Sequence, residues 1–284
     1  MKKIIYDFGA NNGDNIPYYL LKSDLVIAVE ANSELCNLIK NRFNKEIEDK
    51  KLIVENCILI SKISSPTNKF YLHKERDLLS QFPKPGPELS YEFNEVTIIS
   101  KNVIEIIKKY GEPYYIKIDL ENYDHIILKE IFINNIKPKY ISAESTFIDI
   151  YCLMIILGEY KSFKLVNGDN VQFVYEKKKI EALNGKEEYS FPANSAGPFG
   201  NDIIGPWISP ENFFHLLAHK GLGWKDIHCS SIDRAEKNES YLKYIDIDNK
   251  IEEKAKRLKS NKKKISKIKK IISNIFFRKK SNIK

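Results

Sequence analysis

Eight residues near the N-terminus, Asp7-Phe8-Gly9-Ala10-Asn11-Asn12-Gly13-Asp14, form the strongest chemical signal in the chain. They close a short apolar run at 3–8 and precede a short helical pattern at 16–21 with Pro17 in its first turn. A glycine turn at such a junction lets backbone N–H groups approach a ligand closely and aims a helix N-terminus at it. Seventeen residues past Gly13, a β-branched run at 24–30 ends in Glu30. A carboxylate there stands beside the turn and can accept hydrogen bonds from both hydroxyls of a ribose. The glycine spacing is not the G-x-G-x-x-G of dinucleotide enzymes. The bland alternative is a tight strand-to-helix turn that holds no ligand.

The second signal is Ile116-Lys117-Ile118-Asp119-Leu120-Glu121-Asn122-Tyr123-Asp124. It falls where a strand at 114–119 ends, the edge at which open α/β sheets bind ligands. Its three carboxylates, Asp119, Glu121 and Asp124, can orient a substrate hydroxyl, accept its proton or hold a cation. Attraction of acids to a helix start explains Asp124 and part of Glu121, but less of Asp119. His125 is a third candidate base, although a lone histidine on a helix more often packs. His73 is weaker. His215 and His219 share a helix face four residues apart, but Leu-Leu-Ala separates them where a zinc protease needs glutamate, so an amphipathic helix is expected and no metal site. Cys36, Cys57, Cys152 and Cys229 have no paired spacing, which argues against disulfides and zinc and for a reducing cytoplasm.

The elements that position these groups read strand (3–8), helix (16–21), strand (24–30), helix (33–43, capped by Ser33, with Leu35, Leu38 and Ile39 on one face), strand (51–60). Such alternation implies right-handed crossovers and a parallel sheet. A strand at 69–73, a proline-rich loop at 81–89 and a helix at 101–110 follow, then strand 114–119, helix 124–134, strand 140–144 and helix 149–160. Runs near 161–166 and 171–176 flank Asn167-Gly168-Asp169-Asn170 and predict an antiparallel hairpin. The fold class is therefore α/β, a Rossmann-like and mostly parallel sheet closed by that hairpin, the layout of class I S-adenosylmethionine-dependent methyltransferases.

DFGANNGDN, AVEAN and IKIDLENYD, in that order within residues 4–124, resemble the three marker segments of the FkbM-type methyltransferases, a class I S-adenosylmethionine-dependent family. Weaker similarity runs to about residue 176. Asn122 stands where the family usually has glycine and Asp124 where it has glutamate. The resemblance implies that Asp7, Gly9, Asn11 and Gly13, with Ala10 among them, line the methionine end of the cofactor, and that Glu30, beside Ala31, binds its ribose. It places Asn56 and Cys57 near adenine and turns Asp119 and Glu121 to the reactive centre. Many members O-methylate sugars or natural products, so the expected acceptor is a hydroxyl of a sugar or glycoconjugate, such as a surface polysaccharide.

Two regions stand apart. Residues 190–210, SFPANSAGPFGNDIIGPWISP, suggest a lid whose Phe199, Asp202 and Trp207 bind the acceptor; a structural cap is the alternative. The net charge of +8 belongs to the C-terminus: residues 251–284 carry 14 Lys/Arg and two Glu, and the rest is mildly acidic. Ile265, Ile268, Ile272, Ile275 and Phe276 recur at helical spacing among lysines, a pattern suited to an anionic membrane surface more than to nucleic acid. No apolar run approaches the ~20 residues of a membrane span. The expected organisation is a methyltransferase domain at 1–180, a lid and subdomain at 181–250, and a basic tail at 251–284, in a cytoplasmic protein peripheral to the membrane. The rivals are a nicotinamide-dependent sugar dehydrogenase or epimerase, disfavoured by the absent G-x-G-x-x-G, and a non-catalytic membrane-tethered binding module.

Overall fold

The apolar strands at 4–8, 25–30, 52–56 and 113–118 fall into one parallel layer. The computed structural model describes residues 2–236 and 240–281, apart from the side chains of 262, 263 and 265–281. Strands β1 (Ile4–Phe8), β2 (Leu25–Glu30) and β3 (Leu52–Asn56) alternate with helices α1 (Ile16–Lys22), α2 (Ser33–Arg42) and α3 (Asn44–Glu48). After β4 (Ile58–Ile60), β5 (Thr67–His73) and β6 (Phe93–Asn102) come α4 (Val103–Tyr110), β7 (Pro113–Ile118), α5 (Asp124–Ile133), β8 (Tyr140–Ser145), α6 (Ile148–Ile156) and β9 (Ser162–Asn167). The chain continues through α7 (Val171–Val174), β10 (Lys178–Ala182), β11 (Gly185–Tyr189), α8 (Pro210–Lys220), β12 (Gly223–Ser230) and α9 (Tyr241–Ser281).

The main sheet runs β3-β2-β1-β7-β8-β12-β9. Its order turns back between β1 and β7, and there the carboxyl ends of the strands leave a crevice. β1 and β7 are buried along almost their whole length, as strands covered on both faces must be. Ile4, Tyr6, Phe8, Ile116 and Ile118 pack toward α4, α5, α6 and α8. Ile5, Val26 and Tyr115 pack toward α1, α2 and the segment 191–207.

The hairpin expected at 161–176 is absent. β9 forms, but Asn167 then accepts the N–H of Asp169 (3.1 Å) and starts a helical turn, so Val171 and Phe173 are buried from a helix, not a strand. The antiparallel partner comes from later in the chain: β12 inserts between β8 and β9 and pairs antiparallel with both. This insertion also removes the boundary expected at 180, because residues 181–250 contribute a strand to the main sheet. The boundary at 251 falls within α9, whose Ala255 is fully buried and whose Asp248 and Glu252 take Lys220 at 2.7 and 3.3 Å.

Three local expectations also change. The strand at 51–60 breaks at Cys57, and β4 turns off to pair with β6 in a second sheet, β4-β6-β5. Asn32 caps α2 by accepting the Glu34 N–H (2.9 Å), while the Ser33 hydroxyl donates to Asn56 (2.8 Å). Leu38 is largely exposed, and Cys36 with Ile39 forms the buried face of α2.

Candidate active site

Gly9 follows β1 at φ +81°, in the left-handed region, and a Cβ there would lie 1.8 Å from the Asp119 carbonyl oxygen. Only glycine lets the turn after β1 and the end of β7 touch in this way. The N–H groups of Gly9 and Ala10 both donate to the Val29 carbonyl (3.0 Å each), which leaves the turn tied across to β2. Asn11, also left-handed at φ +47°, donates its N–H to Glu30 Oε2 (2.8 Å), and Asn32 donates to Glu30 Oε1 (2.8 Å). Glu30 is thus oriented by two backbone donors at the edge of the crevice. Burial pushes its carboxyl up to about 7, against the pull of those donors.

The crevice holds two adjoining cavities of about 410 and 390 Å³ that share Gly9, Asn11, Asp119, Glu144, Asn194 and Trp224. The first has an apolar wall of Val29, Ile58, Leu59, Phe70 and Phe82 beside Glu30, Ala31 and Cys57. Phe70 and the β4 residues come from the second sheet, so that excursion builds one side of the cavity. The second cavity is polar, with Asn12, Lys117, Ser195 and Asp226 in its lining.

Carboxylates crowd the junction. Oxygens of Asp119, Glu121 and Glu144 lie within 4.8 Å of one another. Burial, with Asp119 and Glu144 nearby, pushes Glu121 up to about 8. Burial and Asp119 raise Asp124 to about 7, and its Oδ1 accepts the Leu120 N–H at 3.1 Å. Lys117 offsets part of this charge. Its ammonium donates to the Gly9 carbonyl (2.9 Å) and pairs with Asp119 (3.1 Å) and with Asp7 (3.6 Å), which stands directly opposite it on β1. Burial alone lowers a lysine, but Asp119, Asp7 and Asp226 outweigh it and hold Lys117 above its ordinary value. Asp7 is fully buried, and burial pushes it up to about 6 against the pull of Lys117.

The turn carrying Glu121 has left-handed φ at Glu121 (45°) and Asn122 (70°). Asparagine tolerates that region far better than most residues, so Asn122 supplies the backbone shape that glycine gives elsewhere. The strained turn aims Glu121 into the first cavity.

Of the residues singled out in the sequence, Gly9, Ala10, Asn11, Glu30, Ala31, Cys57, Asp119 and Glu121 line one or both cavities. Asp7 lies beneath the floor. Gly13 faces Ile16, Ile39 and Phe43, and Asn56 turns away to donate to the carbonyls of Glu30 and Ala31. His125 is outside both linings, its ring edge-on to Phe147 at 5.2 Å. His73 is buried and accepts the N–H groups of Glu75 and Arg76.

The acceptor-binding roles expected of Phe199, Asp202 and Trp207 are overturned. Phe199 stacks on Tyr115 (4.0 Å), Trp207 stacks on Tyr140 (6.1 Å), and Asp202 takes Lys22 (2.6 Å) and the Tyr18 hydroxyl (2.8 Å) inside the core. Segment 190–210 is mainly a cap on the sheet, and only Asn194, Ser195 and Ala196 reach the crevice. Sequence reasoning missed Lys117, Glu144, Trp224 and Asp226. Glu144 nearly ends its strand and was open to the argument used for Glu30 and Asp119.

Residues 7–157 match the Methyltransferase FkbM domain family. Among solved structures, the chain is similar to a methyltransferase FkbM from Methylobacillus flagellatus KT, at 16% identity over 58% of this chain and 40% of that one (TM-score 0.41). It is similar to an S-adenosylmethionine-dependent methyltransferase from Aquifex aeolicus, at 12% over 58% and 77% (TM-score 0.31). A third likeness is to an S-adenosylmethionine-dependent O-methyltransferase from Thermotoga maritima, at 8% over 83% and 62% (TM-score 0.34). The chain thus spans 40% of the first of these structures. No curated protein matches it.

Proposed function

The chain belongs to the FkbM methyltransferases, a family that uses S-adenosylmethionine, and from that premise we propose that it methylates a hydroxyl of a sugar or glycoconjugate. The observation that supports this reading most is the Glu30 carboxylate, fixed by two backbone N–H groups beside an apolar cavity on one side and the Gly9–Asn11 turn on the other. These residues fit the cofactor. Glu30 would take the ribose hydroxyls, Ile58, Phe70 and Phe82 would flank the purine, and Asn11 and Asp119 would meet the methionine end.

The cofactor supplies an electrophilic methyl group, so the protein's task is to hold an acceptor oxygen in line and relieve it of its proton. Asp119 is engaged by Lys117 and suits binding. Glu121, raised toward neutrality and aimed into the cavity, is the base. Its neighbour Glu144 holds the acceptor.

Calorimetric titration with S-adenosylhomocysteine tests the cofactor site. An ionised Glu30 accepts from hydroxyls better than a neutral one, so affinity is expected to strengthen as pH rises through about 7. Glu30→Gln is expected to weaken binding about tenfold to a hundredfold and to remove that pH dependence. No uptake by folded protein would end this reading, and transfer of labelled methyl to a sugar panel tests the rest.

The C-terminus extends the proposal to an anionic lipid surface. Among the described residues no helix is long and apolar enough to cross a membrane. The apolar stripe from Ile265 to Phe276 lies outside the described side chains, and its support is the sequence pattern alone. Because α9 packs on the body at Ala255 and still reaches it at Lys259, whose ammonium lies 5.6 Å from the centre of the Phe173 ring, the informative truncation removes 262–284. The full chain is expected to sediment with anionic vesicles and the truncated chain to stay in solution, with methyl transfer to a free acceptor unchanged.

A further inference from the structure

The cofactor contacts above use Glu30 and Asp119 and leave three carboxylates in the crevice without a cationic partner of their own. Glu121 and Glu144 share the cluster with Asp119, and Asp226 faces Glu144 across the β8–β12 pairing. Among the described residues none of the three is in an ion pair. Lys117, the nearest cation, is bound to Asp119, Asp7 and the Gly9 carbonyl. Arg76 and Asp77, one cation and one carboxylate, line both cavities and neither is in an ion pair among the described residues, and Asp14 is held by Arg42 at 2.7 Å.

Trp224 adds an independent observation. It lines both cavities and is 50% exposed, unusual for an indole in a folded protein. One edge of the ring packs on Gly168, where a Cβ would come within 2.5 Å of Nε1. The ring is therefore braced from behind while much of it stays open. An aromatic surface beside uncompensated carboxylates recognises a cation, through attraction to the ring and charge-assisted hydrogen bonds to the oxygens.

Resting on the methyltransferase reading above, we infer that the acceptor is an amino sugar whose protonated amine is held by Glu144 and Asp226 against Trp224, while Glu121 takes the proton of a nearby hydroxyl. The O–CH3 bond would form as the S–CH3 bond of the sulfonium breaks, with S-adenosylhomocysteine leaving with the electron pair on sulfur; the hydroxyl proton goes to Glu121, and the amine stays protonated and unmethylated. An acidic sugar is disfavoured, because its carboxylate or phosphate would add negative charge where burial and neighbouring carboxylates already hold Glu121, Glu144 and Asp226 above their ordinary values.

Binding to the full chain saturated with S-adenosylhomocysteine tests this. The probes are methyl glycosides of glucosamine, galactosamine and mannosamine, their N-acetylated forms, the parent neutral sugars and the uronic acids. In at least one ring series the free amine is expected to bind tenfold or more tightly than its N-acetylated form, and the uronic acid weakest. Glu144→Gln with Asp226→Asn should abolish the amine preference, with thermal melting as the control for folding. Trp224→Leu should weaken the amino sugar more than the neutral one, so that the preference for the amine falls. If no series favours the amine, or none of these probes binds, the inference fails while the cofactor site stands. Failure to take up S-adenosylhomocysteine overturns both.

Discussion

Glu121→Gln is expected to lower kcat by about a hundredfold to ten-thousandfold, the range seen when a positioned general base is removed. The amide keeps the size of the side chain and its place on the left-handed turn, so the loss reports on proton removal. Burial and the charges of Asp119 and Glu144 push Glu121 up to about 8. A base acts in its ionised form, so wild-type activity should rise with pH through about 8 and level above it. The variant should lose that limb, and its residual activity should follow other groups. Affinity for S-adenosylhomocysteine is the companion measurement, because a base for the acceptor should change turnover more than cofactor uptake. The assignment fails if Glu121→Gln keeps more than about a tenth of kcat, or if the pH limb survives in it. Asp119 is the competing base, and its engagement by Lys117 at 3.1 Å makes it the poorer one.

How far the sequence reveals this arrangement depends on whether a signal is local. The Gly9 turn, Glu30 and Asp119 are legible because each lies at a strand end, within a few residues of the apolar run that places it. The antiparallel strand of the sheet is not legible in this way. Val171, Phe173 and Tyr175 alternate like a strand, but Asn167 caps a turn and the segment goes helical. β12, some fifty residues later, fills the slot between β8 and β9, and a pairing at that separation leaves no local trace. Trp224 and Asp226 reach the crevice on that strand, so the same non-local step hides part of the site. Phe199 and Trp207 mislead for a related reason. Aromatic residues in a glycine- and proline-rich segment look available for stacking on a sugar, yet Tyr115 and Tyr140, on strands far away in sequence, claim them.

Lys117→Met is expected to destabilise the fold by about 3–5 kcal/mol, the usual cost of removing one partner from a buried ion pair. Methionine keeps an apolar stem of similar reach, so the missing ammonium accounts for most of the effect. That ammonium links three groups: Asp7 at 3.6 Å, Asp119 at 3.1 Å and the Gly9 carbonyl at 2.9 Å. Asp7 matters most, because it is fully buried and neither of its carboxylate oxygens has a hydrogen-bond partner among the described residues. Its folded-state value of about 6 lies above its ordinary 3.8, so over that interval the folded chain holds a proton that the unfolded chain releases. Stability therefore falls as pH rises through that window. Without Lys117, Asp7 moves higher still, the window widens upward, and the variant should be weaker at pH 8 than at pH 5 by more than the wild type is. Adding Asp7→Asn to Lys117→Met removes the buried charge and should recover much of the loss and the share of the extra pH dependence that belongs to Asp7, leaving the share of the other carboxylates that Lys117 lowers. Thermal melts of the four proteins at both pH values form a double-mutant cycle that isolates the pair. If Lys117→Met costs under about 1 kcal/mol, or Asp7→Asn makes it worse, the lysine is not what makes the buried carboxylate tolerable.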